Sequence, residues 1–262
     1  MGVKIKSYIR SGIYFILSFF FLSASAQAVV FDMGKEKFGS YLRSTFLPSW
    51  SGAADPFQQS SGTNMSFNNQ FTNLSSYEFG FLFNSGVVTW RVGFEMIQPA
   101  ALSGVSGSNA SNGTLYYTLN SQISSYMPKL GMEFNLKTWH ESRLWLYGEY
   151  GYATLTVQNS YNFTAAGTTQ FGIPNFSETV TGIQSNYAAS LGFETLLTDT
   201  STVSFEAGYR MLNFGSMNES TAVTNFQGAQ AKGAQALTNS GSPRNINLSG
   251  AFAAINLRIW VY

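Results

Sequence analysis

The chain contains no cysteine and a single histidine, and only 10% of its 262 residues are charged. Without cysteine it has no disulfide framework, no thiolate metal site and no lipid-modified N-terminal cysteine. A transition-metal site or an activated nucleophile would have to rely on His140 alone, whereas such sites usually draw on several ligands or an oriented base. We therefore expect no catalytic residue, no cofactor and no bound metal, and we interpret His140 as a solvated turn residue.

Charge is low in amount and nearly balanced in sign. An ordinary soluble domain carries about a quarter charged residues, whereas this chain has few charges and 16% aromatic residues. Three of the 14 basic side chains lie before residue 28, which leaves 11 basic against 13 acidic side chains, or a net charge of −2, after that point. A chain with this balance lacks the basic surface that nucleic acid requires, and we expect no nucleic-acid partner.

The N-terminal segment has the pattern of a secretory signal peptide. Lys4, Lys6 and Arg10 precede an apolar run over residues 13–22, and small residues follow as far as Ala28. The run is about half of the roughly twenty residues that a spanning helix needs. We predict a signal peptide over residues 1–28, cleaved near Ala28, and a second region over residues 29–262. No later apolar run reaches the length of a spanning helix.

A short phrase with Glu and Gly two residues apart returns six times among aromatic and aliphatic neighbours. In a strand, residues i and i+2 share one face, so each phrase places an acid and a glycine on one side and apolar bulk on the other. Apolar outer faces of this kind belong in lipid, where a sheet must close so that no backbone group is left unpaired. The six phrases are Glu78/Gly80, Gly93/Glu95, Gly131/Glu133, Glu149/Gly151, Gly192/Glu194 and Glu206/Gly208.

Period-two alternation predicts an all-β protein: a transmembrane, antiparallel, up-and-down β-barrel of eight strands. Ten strands remain an alternative, because part of a long loop could extend as a hairpin above the membrane. The predicted strands cover residues 35–47, 75–84, 87–96, a fourth strand ending near Leu136, 143–157, 185–197, 202–214 and 245–262.

Several details follow from this assignment. A two-residue Ser85-Gly86 turn would place Glu78 opposite Gly93 and Arg91 opposite Gly80. The alternation of the last strand slips near Phe252, which predicts a β-bulge. Three tryptophans fall near the rim with the short turns, where an interfacial aromatic girdle is expected: Trp139, Trp145 and Trp260.

Connections alternate between short and long. In outer-membrane barrels the short turns face the periplasm and the long loops face the exterior. The short connections are at residues 85–86, 138–142 and 199–201, and the long loops, rich in Ser, Asn, Gly, Thr and Gln, are at residues 49–69, 98–114, 158–179 and 215–244.

The inward positions carry charges of both signs, six of each. In an eight-stranded barrel side chains about fill the interior, and buried charges there need partners. We expect a network of ion pairs that closes the lumen; the alternative is a charged path for ions or small solutes. The predicted network consists of Lys37, Arg43, Glu78, Arg91, Glu95, Lys129, Glu133, Glu149, Glu194, Glu206, Arg210 and Arg258.

The signal peptide, the eight alternating strands, the long outer loops and the terminal Tyr262 resemble small bacterial outer-membrane barrels of the outer membrane protein A transmembrane-domain and opacity-protein type. Residues 40–50 (SYLRSTFLPSW) and 87–96 (VVTWRVGFEM) also resemble the rickettsial surface antigens. The resemblance implies an outer-membrane location among lipid and lipopolysaccharide, insertion by the barrel assembly machinery, and loops that bind a host or cell-surface ligand. Together with the paired inward charges and the single histidine, it favours a structural or surface-interaction protein over a small pore or solute conduit, with an enzyme third.

Overall fold

A computed structural model describes residues 36–48, 57, 64–98, 101–238 and 241–261. The predicted signal peptide and Tyr262 lie outside the described residues. Eight strands form the wall of the structure, and we number them in chain order: β1 Phe38–Leu47, β2 Leu74–Asn84, β3 Val88–Ile97, β4 Leu115–Thr138, β5 Ser142–Phe163, β6 Phe176–Thr198, β7 Ser201–Met211 and β8 Gly250–Val261.

The wall is a closed antiparallel ring. Each strand pairs with the next along the chain, and β8 pairs with both β7 and β1, so the ring leaves no open edge. The predicted eight-stranded, up-and-down barrel is confirmed. The additional short strands lie outside the ring, at the end with the long connections: Met65–Phe67, Leu102–Asn109, Asn213–Phe214, Asn218–Glu219, Val223–Asn225, Gly228–Gln230 and Ile246–Asn247.

Strand length divides the wall into two parts. Five strands have 10 to 12 residues, close to the 9–11 that cross a bilayer, whereas β4, β5 and β6 have 22 to 24. About half of each long strand therefore projects beyond the membrane. Much of the predicted loop at residues 158–179 is strand, and a seven-residue helix, Ala165–Phe171, lies at its tip. We call the end with the long connections the outer end and the other the turn end.

The β2–β3 hairpin differs from the prediction by two residues in register. Asn84 pairs with Thr89, so Glu78 lies opposite Glu95 and Gly80 opposite Gly93. A longer turn replaces the two-residue one, and the Asn84 side-chain oxygen accepts a hydrogen bond from the Gly86 N–H at 2.9 Å. Because side chains alternate with a period of two, a shift of two residues keeps every side chain on its face, and the pattern cannot distinguish the two registers.

The outer surface of the ring is apolar, as the alternation predicted. Phe79 is 61% exposed, Tyr209 53% and Phe94 37%, all on the face away from the lumen. Among the described residues, no helix is both long enough and apolar enough to cross a membrane.

The predicted bulge at Phe252 is wrong. Pairing of β8 with β7 runs without a register shift from Gly250 to Ile259, and the Phe252 side chain is buried inside the barrel. There the Arg43 guanidinium lies 5.1 Å from the centre of its ring. An apolar residue at an inward position therefore gave the appearance of a slip in the alternation.

The interior of the barrel has two layers. Inward side chains are charged towards the turn end and apolar towards the outer end, where the strands leave the membrane. Buried members of the apolar layer include Leu47, Leu74, Ile97, Leu119, Ile123, Met127, Leu155, Val157, Val180, Leu212, Phe214, Met217 and Leu248.

Candidate functional site

Eleven of the twelve predicted network residues lie inside the barrel and are almost fully buried, with exposures between 0% and 7%. Lys37 is the exception, because it precedes β1 and its side chain is exposed at the rim. Arg143, which was absent from the predicted network, takes the sixth cationic position and is 1% exposed. Lys37 is therefore corrected to a rim residue and Arg143 is added to the interior network.

One group of ion pairs centres on Lys129. Its ammonium lies 2.8 Å from a carboxylate oxygen of Glu78, 2.9 Å from Glu95 and 2.6 Å from Glu149. Arg43 extends this group, with nitrogen–oxygen distances of 2.9 Å to Glu78 and 3.6 Å to Glu149. Three carboxylates from three different strands thus converge on one ammonium group, and this convergence links β4 to its neighbours β3 and β5 and also to β2, the strand beyond β3.

The same group continues towards β7. Arg43 also lies 2.7 Å from Glu206, and Arg210 lies 2.5 Å from Glu95. Neutral side chains donate further hydrogen bonds to these carboxylates. Ser190 donates to Glu206 at 2.7 Å, and Asn186 donates to Glu149 at 2.9 Å.

A second group lies nearer the turn end. Arg143 is 3.0 Å from Glu133 and 2.7 Å from Glu194, and Arg258 is 2.7 Å from each of the same two acids. Thr202 donates its hydroxyl hydrogen to Glu194. Two arginines and two glutamates therefore form a closed square that links β4, β5, β6 and β8.

Arg91 connects the two groups. It forms an ion pair with Glu133 of the second group and lies 3.2 Å from Glu206 of the first. Its guanidinium also lies 4.1 Å from the ring centre of Tyr147 and 4.7 Å from that of Trp145, so two cation–π contacts support it. Through Arg91, all twelve ionised side chains belong to one continuous network.

The network is electrically neutral. Six carboxylates face five arginines and one lysine, so the formal charges cancel within the described interior. A buried ion pair with good geometry roughly offsets the cost of removing both charges from water, whereas removal of one partner costs about 3–5 kcal/mol. Each ion pair therefore adds little net stability. The network is maintained because breaking any pair would leave a buried charge without its partner.

Inward glycines make room for aromatic rings. A Cβ atom at Gly192 would lie 2.0 Å from a ring carbon of Trp145, and one at Gly131 would lie 2.4 Å from Tyr147. The recurring Glu and Gly phrase thus supplies an ion-pair partner and, two residues away, the space for a neighbouring ring.

Two of the three predicted girdle tryptophans are interior residues. Trp145 is 0% exposed and Trp260 is 4% exposed, and both lie at inward positions beside the arginines, whereas Trp139 is exposed at the rim. Arg143, Trp145 and Glu149 are separated by even numbers of positions on β5, so their side chains share one face of the strand. The alternation alone could have identified both Trp145 and Arg143 as inward-facing.

The outer end contains another buried ion pair, formed by two residues of the predicted long loops. Arg244 lies 2.7 Å from Glu178, both are almost fully buried, and Asn159 donates to the same carboxylate at 3.1 Å. Burial disfavours the charge on Arg244, but the Glu178 carboxylate beside it raises the pKa of the guanidinium above its usual value.

An aromatic cluster lies beside this pair at the outer end, where Asn159 contacts both Tyr161 and Glu178. Tyr161 stacks on Phe176 with ring centres 4.7 Å apart, and Phe226 meets Phe171 of the short helix at 5.1 Å. Gly167 of that helix lies so close to the backbone of Tyr116 that a Cβ there would be 1.9 Å from the carbonyl oxygen. The tip of the β5–β6 connection therefore packs onto the barrel.

His140 lies at the turn end, in the connection between β4 and β5. It borders an open groove of about 410 Å³ together with Trp139, Glu141, Ser142 and Phe193. The groove is at the opposite end of the barrel from the long connections, in agreement with the predicted turn location.

The chain matches no known protein-family model and no curated protein. Several solved outer-membrane barrels are similar over most of its length. Outer membrane protein OprG from Pseudomonas aeruginosa is 11% identical, with 87% of this chain and 98% of that one covered at a TM-score of 0.46. Neisserial surface protein A is 8% identical, with 86% and 97% covered at a TM-score of 0.40. The outer membrane protease OmpT from Escherichia coli is 10% identical, with 90% and 100% covered at a TM-score of 0.41.

These similarities are too low to carry an argument about activity. The ring itself, closed by eight antiparallel strands with apolar side chains outside and paired charges inside, identifies the chain as a small outer-membrane β-barrel.

Proposed function

We propose that the chain is a surface-exposed outer-membrane protein whose lumen is closed and whose projecting outer end binds a ligand on a host or other cell surface. In this proposal residues 1–28 are removed on export near Ala28. The barrel assembly machinery then inserts the remainder among outer-membrane lipid and lipopolysaccharide. The observation that carries the proposal is the filled interior, with a neutral network of buried ion pairs beneath an apolar layer.

The two layers oppose transport by different physical means. An ion that crosses the charged layer has to displace Arg91 or Lys129 from carboxylates at hydrogen-bonding distance. It then meets a layer of mostly apolar side chains, which offers few polar groups to replace its hydration shell. Because both free-energy costs fall on the same ion, the interior supports a closed lumen better than a pore.

The outer end supports the surface role. Uncharged polar side chains cover the outward face of the projecting strands, where Gln122, Gln158 and Thr179 lie side by side on β4, β5 and β6. Such a face recognises a partner through hydrogen bonds and shape, and salt should weaken its binding little.

Planar-bilayer recording separates this proposal from the alternative of a small pore. We expect no steady openings from the wild-type protein or from a control with a lipid-facing substitution, Val92→Ala. Steady wild-type openings that disappear when Arg91 or Arg210 is replaced by methionine would establish the small solute pore instead.

Adhesion tests the surface role. Tyr161 and Phe176 pair directly across the β5–β6 hairpin, so an Asn-Gly turn can replace residues 162–175 without a change of register. Bacteria that display this variant should adhere less to cultured epithelial cells than bacteria that display the wild type or the turn-end control His140→Ala. Unchanged adhesion, after equivalent shortening of the other long connections as well, would refute the surface role.

An enzyme is the least supported class. Hydrolysis by an activated hydroxyl needs a base whose pKa is near neutral, and His140 is the one histidine of the chain. It lies at the turn end, away from the projecting part that meets external substrates. We propose that the protein is not an enzyme.

A further inference from the structure

A segment at the outer end, residues 216–236, docks against the projecting part of β6, and we call it the strap. Within it, Asn218 and Glu219 pair with Thr181 and Val180. The Ser220 N–H donates to the Thr179 carbonyl at 2.8 Å and extends the pairing. The strap is thus added to the barrel wall as a short extra strand, above the level of the lipid.

The strap also covers the outer mouth of the barrel. Met217 and Ala236 are fully buried in the apolar layer, and the Ala236 N–H donates to the Met217 carbonyl at 2.8 Å. Phe226, from the middle of the strap, packs among the aromatic rings of the outer end. Lifting the strap would expose this apolar surface and open the mouth.

The carboxyl group of Glu219 lies at the docking contact and has few hydrogen-bond donors around it. Glu219 is 1% exposed, and its side chain accepts one hydrogen bond, from the Asn225 amide at 3.1 Å. Its second oxygen, Oε2, is buried and accepts no hydrogen bond from the part of the chain that the structure describes. A buried ionised carboxylate with so few donors is costly, whereas the neutral carboxyl form is tolerated.

The charged groups around Glu219 do not remove this cost. Glu178 of β6 brings a second negative charge, and the Arg244 guanidinium that lies nearby bonds to Glu178 at 2.7 Å. Tyr161 of β5 and Asn225 of the strap are neutral, and Lys232, on the turn next to Gly233, is exposed. Burial and then the Glu178 charge raise the pKa of Glu219 to about 7, although Arg244 and the Asn225 hydrogen bond oppose the shift.

We propose that the strap is a pH-sensitive closure of the outer mouth: a neutral Glu219 keeps it docked on β6, and loss of the carboxyl proton releases it. This inference goes beyond the proposed function and does not depend on the identity of any ligand. It rests on the buried position of Glu219, its one donor and its acidic neighbour.

The direction follows from proton linkage. The ordinary pKa of a glutamate is 4.5, and the docked value is about 7, so the docked state binds more protons between those two pH values. Docking is therefore strongest below pH 4.5, weakens as pH rises through the window, and levels off above 7. From these two pKa values the opening constant of the strap should increase about 30-fold between pH 5.5 and pH 8.

Hydrogen exchange of the full chain in lipid bilayers tests this proposal. The reporter is the Ser220 amide, because it donates to the Thr179 carbonyl of β6. After correction for the intrinsic pH dependence of exchange, its protection should fall by about 30-fold from pH 5.5 to pH 8. Amides of β3 in the membrane serve as the internal control and should keep their protection.

Two variants test whether ionisation of Glu219 causes the loss of protection. Glu219→Gln removes the titrating group and should keep the strap protected equally at both pH values. Glu178→Gln removes the acidic neighbour and should move the midpoint of the transition to lower pH. A wild-type strap whose protection does not change with pH would overturn the proposal, as would an unchanged transition in both variants.

Discussion

The ion pair of Glu95 with Arg210 offers the sharpest test of the interior network. Arg210 is fully buried, and Glu95 is its ion-pair partner among the described residues, at 2.5 Å. Substitution of Glu95 by Gln keeps the side-chain shape but leaves the guanidinium without a counter-charge. Lys129, the other cation beside Glu95, retains Glu78 and Glu149.

The expected magnitude follows from this difference in partners. An uncompensated buried charge costs about 3–5 kcal/mol, so Glu95→Gln should lower the free energy of unfolding by that amount. Glu149→Gln is the matched comparison, because Lys129 and Arg43 each keep two other carboxylates. It loses one counter-charge to each of these cations and the charge-assisted hydrogen bond from Asn186, but leaves neither cation unpaired, and should cost about 1.5–3 kcal/mol.

A double-mutant cycle isolates the pair. Arg210→Met combined with Glu95→Gln restores neutrality, so the double variant should be more stable than Glu95→Gln alone. We expect a coupling energy of about 2 kcal/mol or more, against the roughly 0.5 kcal/mol within which independent sites add. Replacement of Tyr209, the lipid-facing neighbour of Arg210, by Leu is the positional control and should cost less than about 1.5 kcal/mol.

The assay is reversible urea unfolding of protein folded into lipid vesicles, followed by tryptophan fluorescence, with slopes compared so that changes in midpoint report stability. Equal costs for Glu95→Gln and Glu149→Gln, together with additive costs in the cycle, would show that the number of counter-charges does not govern the stability of the interior.

Two further substitution pairs test the assignment of faces. Gly192→Ala should lower the free energy of unfolding by about 1–3 kcal/mol, because the added Cβ would lie 2.0 Å from the Trp145 ring. Its control, Gly148→Ala, has open space around it on the outward face and should change the free energy of unfolding by less than about 0.5 kcal/mol. Phe79→Arg, at the middle of a membrane-spanning strand, should cost about 2–4 kcal/mol in lipid vesicles, whereas Gln158→Arg, on the projecting part, should cost almost nothing. Similar unfolding energies within either pair would contradict the predicted orientation of the wall.

The alternation of apolar and polar residues predicted most features of the barrel wall. The pattern of Val88, Trp90 and Val92 against Arg91 and Gly93 requires opposite environments on the two faces, and a strand has only two faces. Strand number, antiparallel order and eleven of the predicted interior charges follow from that periodicity. The same rule could have added Arg143 and Trp145, which share the inward parity of Glu149.

Other features depend on how strands are aligned with one another. The two-residue change in the β2–β3 register leaves the pattern unchanged, yet it decides that Glu78 lies opposite Glu95 and that Lys129 can bridge them. Which cation meets which acid across a lumen depends on strand tilt and stagger around the whole ring, and no local stretch of sequence contains that information.

The sequence by itself determined that this chain has an apolar outer wall and an ionic interior, because each residue's face follows from its parity along one strand. Only the tertiary structure decided that the charges join through Arg91 into a single neutral network and that an apolar layer lies above it. It alone also placed Glu219 of the strap beside Glu178 of β6. These contacts join segments far apart in the chain, so they exist only after the ring has closed and the outer connections have folded onto it.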